Sequence, residues 1–311
     1  MAKLIIKSGG AEGFAEWRRH FAACAPGLET IFWEAPHDPA SIDYALVWDP
    51  EPGRLAAMPR LRCIFSSGAG VDGIIRDPSW PVHVPLVRMT PPGAAQRMAE
   101  YVAWAALHLI RGGRRMALNQ ACGRWEDFDH PIAPETRVGL MGLGVMGAAA
   151  ARALLALGFP VAGWTRRSKG LPGVEEFLGD QALPAFLART DLLVCLLPAT
   201  PETRHILSAP LLSALPRGAM LVNAARGWHQ KIEDILAALD EGQLSGAVLD
   251  VFEPEPLPPD HPAWSHPRLT VTPHVASLPS RAERARFVAE QIALLEAGGT
   301  PGPLFDPARG Y

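Results

Sequence analysis

The sequence has no apolar run long enough to cross a membrane. A spanning helix needs roughly 18 or more mostly apolar residues, and every apolar segment here is interrupted sooner by charged or turn-forming residues. Residues 1–7 are mostly apolar, but Ser8-Gly9-Gly10 follow at once, which leaves too short a core for a secretory signal peptide. We therefore expect a cytoplasmic protein without a membrane partner.

Cysteine is also scarce. The 4 cysteines lie far apart and form no CxxC pair. Scattered thiols of this kind are typical of a protein in a reducing compartment, and no closely spaced set of ligands indicates a metal site. The cysteines are Cys24, Cys63, Cys122 and Cys195.

An excess of positive charge is missing as well. The sequence has 29 Lys and Arg residues against 32 Asp and Glu, a formal net charge of −3. Proteins that bind nucleic acid or a membrane surface depend on a positive field, so we expect neither as a partner. With 48% hydrophobic and 20% charged residues, the composition is that of a globular protein with a large core.

Short apolar runs alternate with helical stretches, a pattern that favours parallel β-sheets with crossover helices. In the first part, strands are predicted at residues 4–7, 31–33, 44–48, 62–66 and 86–88, and helices at 12–25, 53–58 and 95–111. In the second part, strands are predicted at 137–141, 161–164, 192–196, 220–223, 247–249 and 270–271, and helices at 145–157, 183–188, 209–214 and 233–241. A last helix is predicted from after Pro279 to about residue 297. The second series is long enough for a complete dinucleotide-binding fold.

A GxGxxG motif lies between a predicted strand and an Ala-rich predicted helix. In that context the first glycine permits a tight turn, the second lets the backbone approach a pyrophosphate, and the third lets helix and strand pack closely. The helix N-terminus supplies N–H donors to the phosphates. The motif predicts an NAD(P) site, with a structural glycine-rich turn as the alternative. Its residues are Gly142, Leu143, Gly144, Val145, Met146 and Gly147.

The turn after the next predicted strand indicates which dinucleotide binds. An NAD-preferring fold has an acidic residue there for the ribose 2′-hydroxyl, but this chain reads Thr165, Arg166, Arg167, Ser168 and Lys169. Guanidinium and ammonium groups attract a 2′-phosphate that a carboxylate would repel. We therefore predict NADPH as the cofactor, with NADH less favoured. A solvated basic turn is the alternative.

Three polar segments follow predicted strands of the second part, where ligands of open α/β sheets bind. They contain Arg226 in Asn-Ala-Ala-Arg-Gly, Glu255 in Glu-Pro-Glu-Pro-Leu and His274 in Thr-Pro-His. Arginine holds a carboxylate and polarises a keto oxygen, histidine donates a proton near neutral pH, and glutamate stabilises an imidazolium. The set predicts carbonyl reduction, although each residue alone also fits a surface ion pair, a solvated acid or a core histidine.

Further short segments are similar in sequence to motifs of one enzyme family. They are Ala45-Leu46-Val47-Trp48, Gly68-Ala69-Gly70-Val71-Asp72, Leu197-Pro198-Ala199-Thr200-Pro201-Glu202-Thr203 and Ala308-Arg309-Gly310-Tyr311. Together with the glycine motif and the three polar segments, they resemble the D-isomer-specific 2-hydroxyacid dehydrogenases, and most of all their glyoxylate/hydroxypyruvate reductase A group. The similarity extends through most of the chain.

The resemblance implies a role for individual residues. Arg226 would orient the substrate, His274 would be the acid/base, and the glutamate before Pro-Leu-Pro would be Glu255. The backbone amides of Gly68, Ala69, Gly70 and Val71 would receive the substrate carboxylate, as suits a small-residue loop. Trp48 would line the substrate pocket, with a core position as the alternative. Further cofactor contacts are implied at Leu197, Pro198, Thr203, Ala224, Ala225 and, for the nicotinamide carboxamide, Asp250.

The resemblance also implies the architecture and the reaction. The fold would be α/β, with two doubly wound parallel-sheet domains and the active site between them. Residues 94–280 would form the Rossmann cofactor domain, and residues 1–93 and 281–311 a smaller flavodoxin-like substrate domain. Homodimers are usual in the family, with helix 95–111 expected near the interface. The expected activity is NADPH-dependent reduction of glyoxylate or hydroxypyruvate, and the alternatives are a bulkier 2-oxo acid or a non-catalytic NAD(H)-sensing corepressor.

Overall fold

A computed structural model describes residues 1–307, so the family-like segment 308–311 lies outside the described residues. The chain forms two compact units, Met1–Gly93 with Pro279–Tyr311 and Ala94–Leu278. The first elements in chain order are β1 (Ala2–Lys7), α1 (Gly10–Cys24), β2 (Leu28–Phe32), β3 (Tyr44–Val47), β4 (Cys63–Ser66), α2 (Asp72–Ile75), β5 (Leu86–Val87) and α3 (Gly93–Ile110). Those that follow are α4 (Gly113–Ala121), β6 (Val138–Met141), α5 (Val145–Ala156), β7 (Val161–Thr165), β8 (Val174–Leu178), α6 (Leu183–Ala188), β9 (Leu192–Cys195), α7 (Ala209–Ser213), β10 (Ala219–Asn223), α8 (Ile232–Asp240), β11 (Leu244–Leu249), β12 (Leu269–Val271) and α9 (Arg281–Glu296).

The first unit is built on a five-stranded parallel sheet in the order β2-β1-β3-β4-β5. This is the strand order of flavodoxin-like folds, in which the order reverses between the first and third strands. Successive residues of β1 enter different cores, Leu4 and Ile6 on one face and Ile5 on the other. Both faces of the sheet are therefore buried, which explains why its strands read as continuous apolar runs.

The second unit is built on a seven-stranded parallel sheet in the order β12-β11-β10-β9-β6-β7-β8. Read from the other edge, the first six strands have the Rossmann order 3-2-1-4-5-6. The order reverses between β6 and β9, so the loops after these two strands border the crevice where such folds bind a dinucleotide. The predicted fold class, two doubly wound parallel-sheet domains, is confirmed.

Three local predictions were wrong or incomplete. Residues 53–57 form successive turns instead of the helix predicted at 53–58, because Gly53 follows a proline and takes a left-handed φ of 81°. Gly112-Gly113 ends the long helix as expected, but Gly112, with a φ of 65°, leads straight into α4. Strand β8 was missed because Val-Glu-Glu-Phe-Leu is an edge strand with no buried residue, and so carries no apolar run.

No helix in the described part of the chain is long and apolar enough to span a membrane. Helix α3 buries one face, including Val102 and Ala106, yet its Trp104 is 42% exposed. Met116 of α4 and Trp125 are also exposed. Exposed apolar side chains of this size are what a subunit interface would cover. The homodimer remains a prediction, which the molecular mass of the protein in solution would test.

Candidate active site

His274 and Glu255 form a hydrogen-bonded pair in the second unit. Nδ1 of the imidazole lies 2.7 Å from Oε2 of Glu255, and the two side chains are 40% and 37% exposed. A carboxylate at this position accepts the Nδ1 proton and leaves Nε2 free to exchange a proton with a substrate. The backbone N–H of Phe252 donates to the other oxygen of Glu255, at 2.9 Å. Both carboxylate oxygens are therefore fixed.

The electrostatics of Glu255 link the three predicted catalytic residues. Burial alone would raise the pKa of its carboxyl group, but the hydrogen bonds from His274 and the Phe252 N–H and the nearby charges outweigh this effect. The charge of Arg226 is among those causes, and the resulting pKa of Glu255 is lowered. Glu255 is therefore ionised at neutral pH. The structure thus places the charge of Arg226 close enough to act on the Glu255–His274 pair, while the catalytic roles of the three residues stay predictions.

The turn that carries His274 has an unusual backbone conformation. His274 has a φ of 54°, a left-handed conformation that is uncommon outside glycine. Asp250, which is 1% exposed, stabilises this turn. One of its carboxylate oxygens accepts from the Thr272 hydroxyl at 2.6 Å and the Val275 N–H at 2.9 Å, and the other accepts from the Ala276 N–H at 2.9 Å.

Asp250 therefore has a structural role that the sequence did not indicate. Its carbonyl oxygen also accepts from the His274 N–H at 2.8 Å, and Tyr101 bonds to the same Thr272 hydroxyl at 2.6 Å. Burial raises the pKa of Asp250, against the opposing effect of these hydrogen bonds. The contact between Asp250 and the nicotinamide carboxamide stays a prediction.

Buried amides hold the turn that carries Arg226. The side-chain N–H₂ of Asn223 donates to the Arg226 carbonyl at 3.0 Å and to the Gln230 side chain at 2.8 Å. Gln230 in turn donates to the Val251 carbonyl at 2.9 Å. A Cβ atom on Gly227 would lie 2.1 Å from the carbonyl carbon of Phe252, so only glycine permits this approach. The arginine and glutamate segments are thereby packed backbone to backbone.

A fully buried histidine connects the same turn to the loop after β9. His229 accepts the Arg226 N–H at Nδ1 (3.2 Å) and reaches the Pro198 carbonyl with Nε2 (3.1 Å). Because a carbonyl only accepts, Nε2 must carry the proton in this arrangement. Sequence reasoning missed His229 and Gln230, since a single buried polar residue leaves no periodic signal.

The glycine motif has the geometry that a dinucleotide requires. Gly142 has a φ of 99°, and a Cβ on Gly147 would lie 2.0 Å from the carbonyl oxygen of Gly142. A Cβ on Gly144 would meet nothing within 4 Å, so this position opens onto free space. Helix α5 begins at Val145 with no side-chain cap on its N–H groups. These residues fit a pyrophosphate, which would occupy that space and accept from those donors.

The other predicted cofactor residues lie in loops at the same sheet edge. Leu197, Pro198 and Thr203 follow β9, and Ala224 and Ala225 follow β10. The Thr203 hydroxyl donates to the Pro198 carbonyl at 2.8 Å and accepts from the Thr200 N–H at 2.9 Å. Thr203 therefore shapes its own loop, while contacts of these residues with a cofactor stay predictions.

The basic turn after β7 is exposed at Arg166, Arg167 and Lys169. A carboxylate that sequence reasoning missed organises this turn: Glu176 of β8 accepts from the Ser168 hydroxyl at 2.5 Å and from the Lys169 N–H at 2.9 Å. The Ser168 hydrogen bond is the main cause that lowers the pKa of Glu176. The Glu176 carboxylate thus fixes the backbone of the turn, and the cationic side chains of the turn lie on the surface.

The loop at residues 67–71 of the first unit has its carbonyl groups fixed one after another. In a trans peptide the C=O and the next N–H point in opposite directions, so each N–H of residues 68–71 points away from the donor that holds the preceding carbonyl. The N–H of Gly68 donates to the Ser66 hydroxyl oxygen at 3.3 Å. Among the described residues, the N–H groups of 69, 70 and 71 have no acceptor. Such a row of free donors suits an anion. Four groups donate to the carbonyl oxygens of this loop: Arg284 Nη1 to that of Ser67 (3.2 Å), Met89 N–H to that of Gly68 (3.1 Å), Arg88 Nε to that of Ala69 (3.0 Å) and Ser66 Oγ to that of Gly70 (2.6 Å).

Trp48 lies next to this loop in the first unit. It follows β3 and is partly exposed, and a Cβ on Gly68 would lie 3.7 Å from its ring. Trp48 and Ser67 line an open groove of about 340 Å³ together with Ser8 and Gly9. The tryptophan is therefore a groove-lining residue rather than a core residue, and its contact with substrate stays a prediction.

Comparisons with known proteins agree with this geometry. Residues 103–276 match the model of the family described as D-isomer specific 2-hydroxyacid dehydrogenase, NAD binding domain. A D-isomer specific 2-hydroxyacid dehydrogenase from Xanthobacter autotrophicus Py2, in complex with NADPH and MES, is 40% identical and has a TM-score of 0.90, with 100% of this chain and 99% of that chain covered. The chain belongs to the D-isomer specific 2-hydroxyacid dehydrogenase family. It is an NAD(P)-dependent dehydrogenase of that family.

Two further solved structures of dehydrogenases are similar over the full length. The NADPH-dependent glyoxylate/hydroxypyruvate reductase from Sinorhizobium meliloti, in complex with NADP and sulfate, is 39% identical and has a TM-score of 0.91. The match covers 100% of this chain and 100% of that chain. A probable 2-hydroxyacid dehydrogenase from Rhizobium etli CFN 42, in complex with NADP, HEPES and L(+)-tartaric acid, is 37% identical, with a TM-score of 0.90 and coverage of 100% of this chain and 99% of that chain.

The glycine motif gives a paired prediction for the dehydrogenase. Gly144→Ala should leave the stability unchanged, because there is room for the Cβ, yet weaken dinucleotide binding about tenfold or more by filling the space the phosphates need. Gly147→Ala should cost about 1–3 kcal/mol of stability, because its Cβ overlaps a backbone carbonyl. Denaturant unfolding and fluorescence titration with NADPH measure the two effects. Equal losses of stability in both variants would contradict this assignment.

The Glu255–His274 pair gives a prediction about pH dependence. Reduction uses the protonated imidazole, and the Glu255 carboxylate stabilises that form. In Glu255→Gln the fall of reductive kcat with rising pH should therefore move to lower pH, and kcat at neutral pH should drop by about tenfold or more. Glu253→Gln, two residues away and exposed, is the matched control. A pH profile of Glu255→Gln that overlays that of the wild type would show the carboxylate to be unnecessary.

Proposed function

We propose that the protein reduces a small 2-oxo acid, glyoxylate or hydroxypyruvate, to the 2-hydroxy acid with NADPH. The observation that carries the proposal is the His274–Glu255 pair, joined by 2.7 Å, beside an arginine whose charge acts on the same carboxylate. This set supplies a proton donor and a cationic fork, which are the groups that reduction of a keto acid requires.

Each side chain has a definite part in the proposed reaction. His274 donates a proton from Nε2 to the keto oxygen, and Glu255 stabilises the imidazolium before that transfer. Arg226 holds the substrate and polarises its carbonyl, while the free N–H groups of residues 69–71 donate to the substrate carboxylate. NADPH, when bound, supplies the hydride that reaches C2, so one hydride and one proton convert the carbonyl to an alcohol.

Two independent observations favour NADPH over NADH. The turn after β7 presents exposed Arg166, Arg167 and Lys169 and has no acidic side chain of its own. The similar enzymes from X. autotrophicus and S. meliloti were solved with NADPH and NADP respectively. Glu202 is a nearby acid, since the charge of Arg166 contributes to lowering its pKa. A 2′-phosphate would compete with Glu202 for this guanidinium.

The choice of a small substrate rests on one relative. The S. meliloti enzyme, 39% identical over the whole chain, is a glyoxylate/hydroxypyruvate reductase. The test is a panel of glyoxylate, hydroxypyruvate, pyruvate and phenylpyruvate with NADPH. The oxidation rate of NADPH is measured from the loss of absorbance at the nicotinamide band. The highest kcat/KM is expected with glyoxylate or hydroxypyruvate. Preference for phenylpyruvate would favour a bulkier substrate, and no oxidation of NADPH with any acid would favour the non-catalytic sensor.

Arg226→Lys tests the substrate contact within that panel. An ammonium group cannot make the planar two-pronged contact of a guanidinium, so KM should rise and kcat should fall. Losing one charge-assisted hydrogen bond of about 1.5–3 kcal/mol corresponds to roughly a ten- to hundredfold loss of kcat/KM. The control is Arg204→Lys, whose guanidinium lies over the ring of Trp228. Near-normal kinetics for Arg226→Lys would make that arginine a structural residue.

The basic turn gives the prediction for cofactor preference. One arginine on the 2′-phosphate should favour NADPH by roughly ten- to a hundredfold, and exposure to solvent places the value towards the lower end. Changing Thr165 to Asp and Arg166 to Ala should reverse the preference, since an acid binds a free 2′-hydroxyl and repels the phosphate. The measurement is kcat/KM for NADPH and NADH at saturating glyoxylate. Equal use of both by the wild type would overturn this part of the proposal.

A further inference from the structure

A buried arginine without an acidic partner lies behind the loop of residues 67–71. Arg284 of α9 is only 7% exposed, and in residues 1–307 no carboxylate forms an ion pair with it. Glu16 pairs instead with Arg281. Nη1 of Arg284 donates to the Ser67 carbonyl at 3.2 Å, and its Nε is buried without any hydrogen-bond partner among the described residues.

Keeping this charge is costly to the fold. An unpaired buried charge is strongly unfavourable. The Trp17 ring, 4.9 Å from the guanidinium carbon, and the more distant charge of Glu16 compensate it in part. Burial is the main cause that lowers the pKa of Arg284, to about 10, so the side chain still carries its charge at neutral pH. A methionine would fill similar volume without this cost. The charge therefore calls for an explanation other than packing.

The position of the charge points to an anion. Ser67 supplies the first of the four fixed carbonyls of the loop, and the guanidinium holds it from the interior side. The peptide between residues 67 and 68 then directs its N–H away from Arg284, and that N–H donates to the Ser66 hydroxyl oxygen at 3.3 Å. The loop thus has a positive charge against its first carbonyl and free N–H donors at residues 69–71. Both features attract a negatively charged group.

We propose that Arg284 is a positioning residue for the substrate carboxylate: it fixes the peptide between residues 67 and 68 and supplies positive potential to the N–H groups of the loop. The identity of the anion rests on the proposed function, in which the loop receives the carboxylate of a 2-oxo acid. Other small carboxylates, such as oxalate, share the recognised group and bind in the same way. Arg284 thereby sets affinity for the acid and leaves hydride transfer unaffected.

The test is Arg284→Met, assayed in the intact protein with NADPH. A unit charge that acts through the protein interior on a bound anion changes its affinity roughly tenfold or more. KM for glyoxylate and the inhibition constant of oxalate should therefore both rise about tenfold, while kcat and the dissociation constant of NADPH change less than about twofold. The melting temperature should stay equal or rise, because a costly buried charge has been removed.

Two further variants separate charge from structure. Arg286→Met removes the same charge from the exposed side of the same helix and should leave both constants unchanged. Arg284→Lys keeps the charge and a donor for the Ser67 carbonyl, so it should restore most of the oxalate affinity. A lysine variant that binds as weakly as the methionine variant contradicts the role of the charge.

A structural role for Arg284 gives a different pattern. The proposal is overturned if Arg284→Met lowers the melting temperature while KM and oxalate inhibition keep their wild-type values. Failure of the proposed function is recognised separately, as absence of NADPH oxidation by the wild type with every acid of the panel. In that case, calorimetric titration of wild type and Arg284→Met with oxalate still decides the matter, since equal affinities contradict a role in anion binding.

Discussion

A trans peptide directs its C=O and its N–H to opposite sides, so a donor that fixes one group also aims the other. The loop at residues 67–71 uses this constraint, since every carbonyl from Ser67 to Gly70 has its own donor. In the second unit an acceptor fixes donors instead: the Asp250 carboxylate accepts hydrogen bonds from backbone N–H groups of the turn that carries His274. In both places the proposed chemistry depends on backbone groups that other groups of the protein have oriented.

The predicted catalytic side chains are correspondingly costly to position. His274 needs a left-handed backbone conformation, and Arg226 needs an amide network of Asn223 and Gln230 that is almost wholly buried. A buried polar group that loses its partner costs more than the hydrogen bond itself contributes. The network is therefore satisfied throughout or not formed, which fixes one arrangement of the site and removes freedom that hydride transfer would otherwise have to overcome.

The sequence predicted those features that are written locally. Strands such as Leu192–Cys195 are buried on both faces and read as apolar runs. Arg226 and Glu255 each follow such a strand, and His274 follows the partly buried strand Leu269–Val271. Strand β8 was missed because an edge strand lacks that signal. The contacts that hold the site residues in place could not be predicted for another reason, since they join distant parts of the sequence. Arg284 and Ser67, for example, are 217 positions apart. Nothing in the residues around Arg284 distinguishes it from a surface arginine of an amphipathic helix.

The first unit is discontinuous, since residues 1–93 are completed by the segment from Pro279 onwards. On the ribosome its sheet is therefore made first, but the helix that covers one face of that sheet emerges last, after the whole second unit. The second unit is one uninterrupted stretch and can fold while synthesis continues. Until Phe287 and Val288 of α9 reach the sheet, Trp17 and Phe21 of α1 cover this apolar face only in part. The partly covered face is an aggregation hazard of the nascent chain until α9 packs onto it.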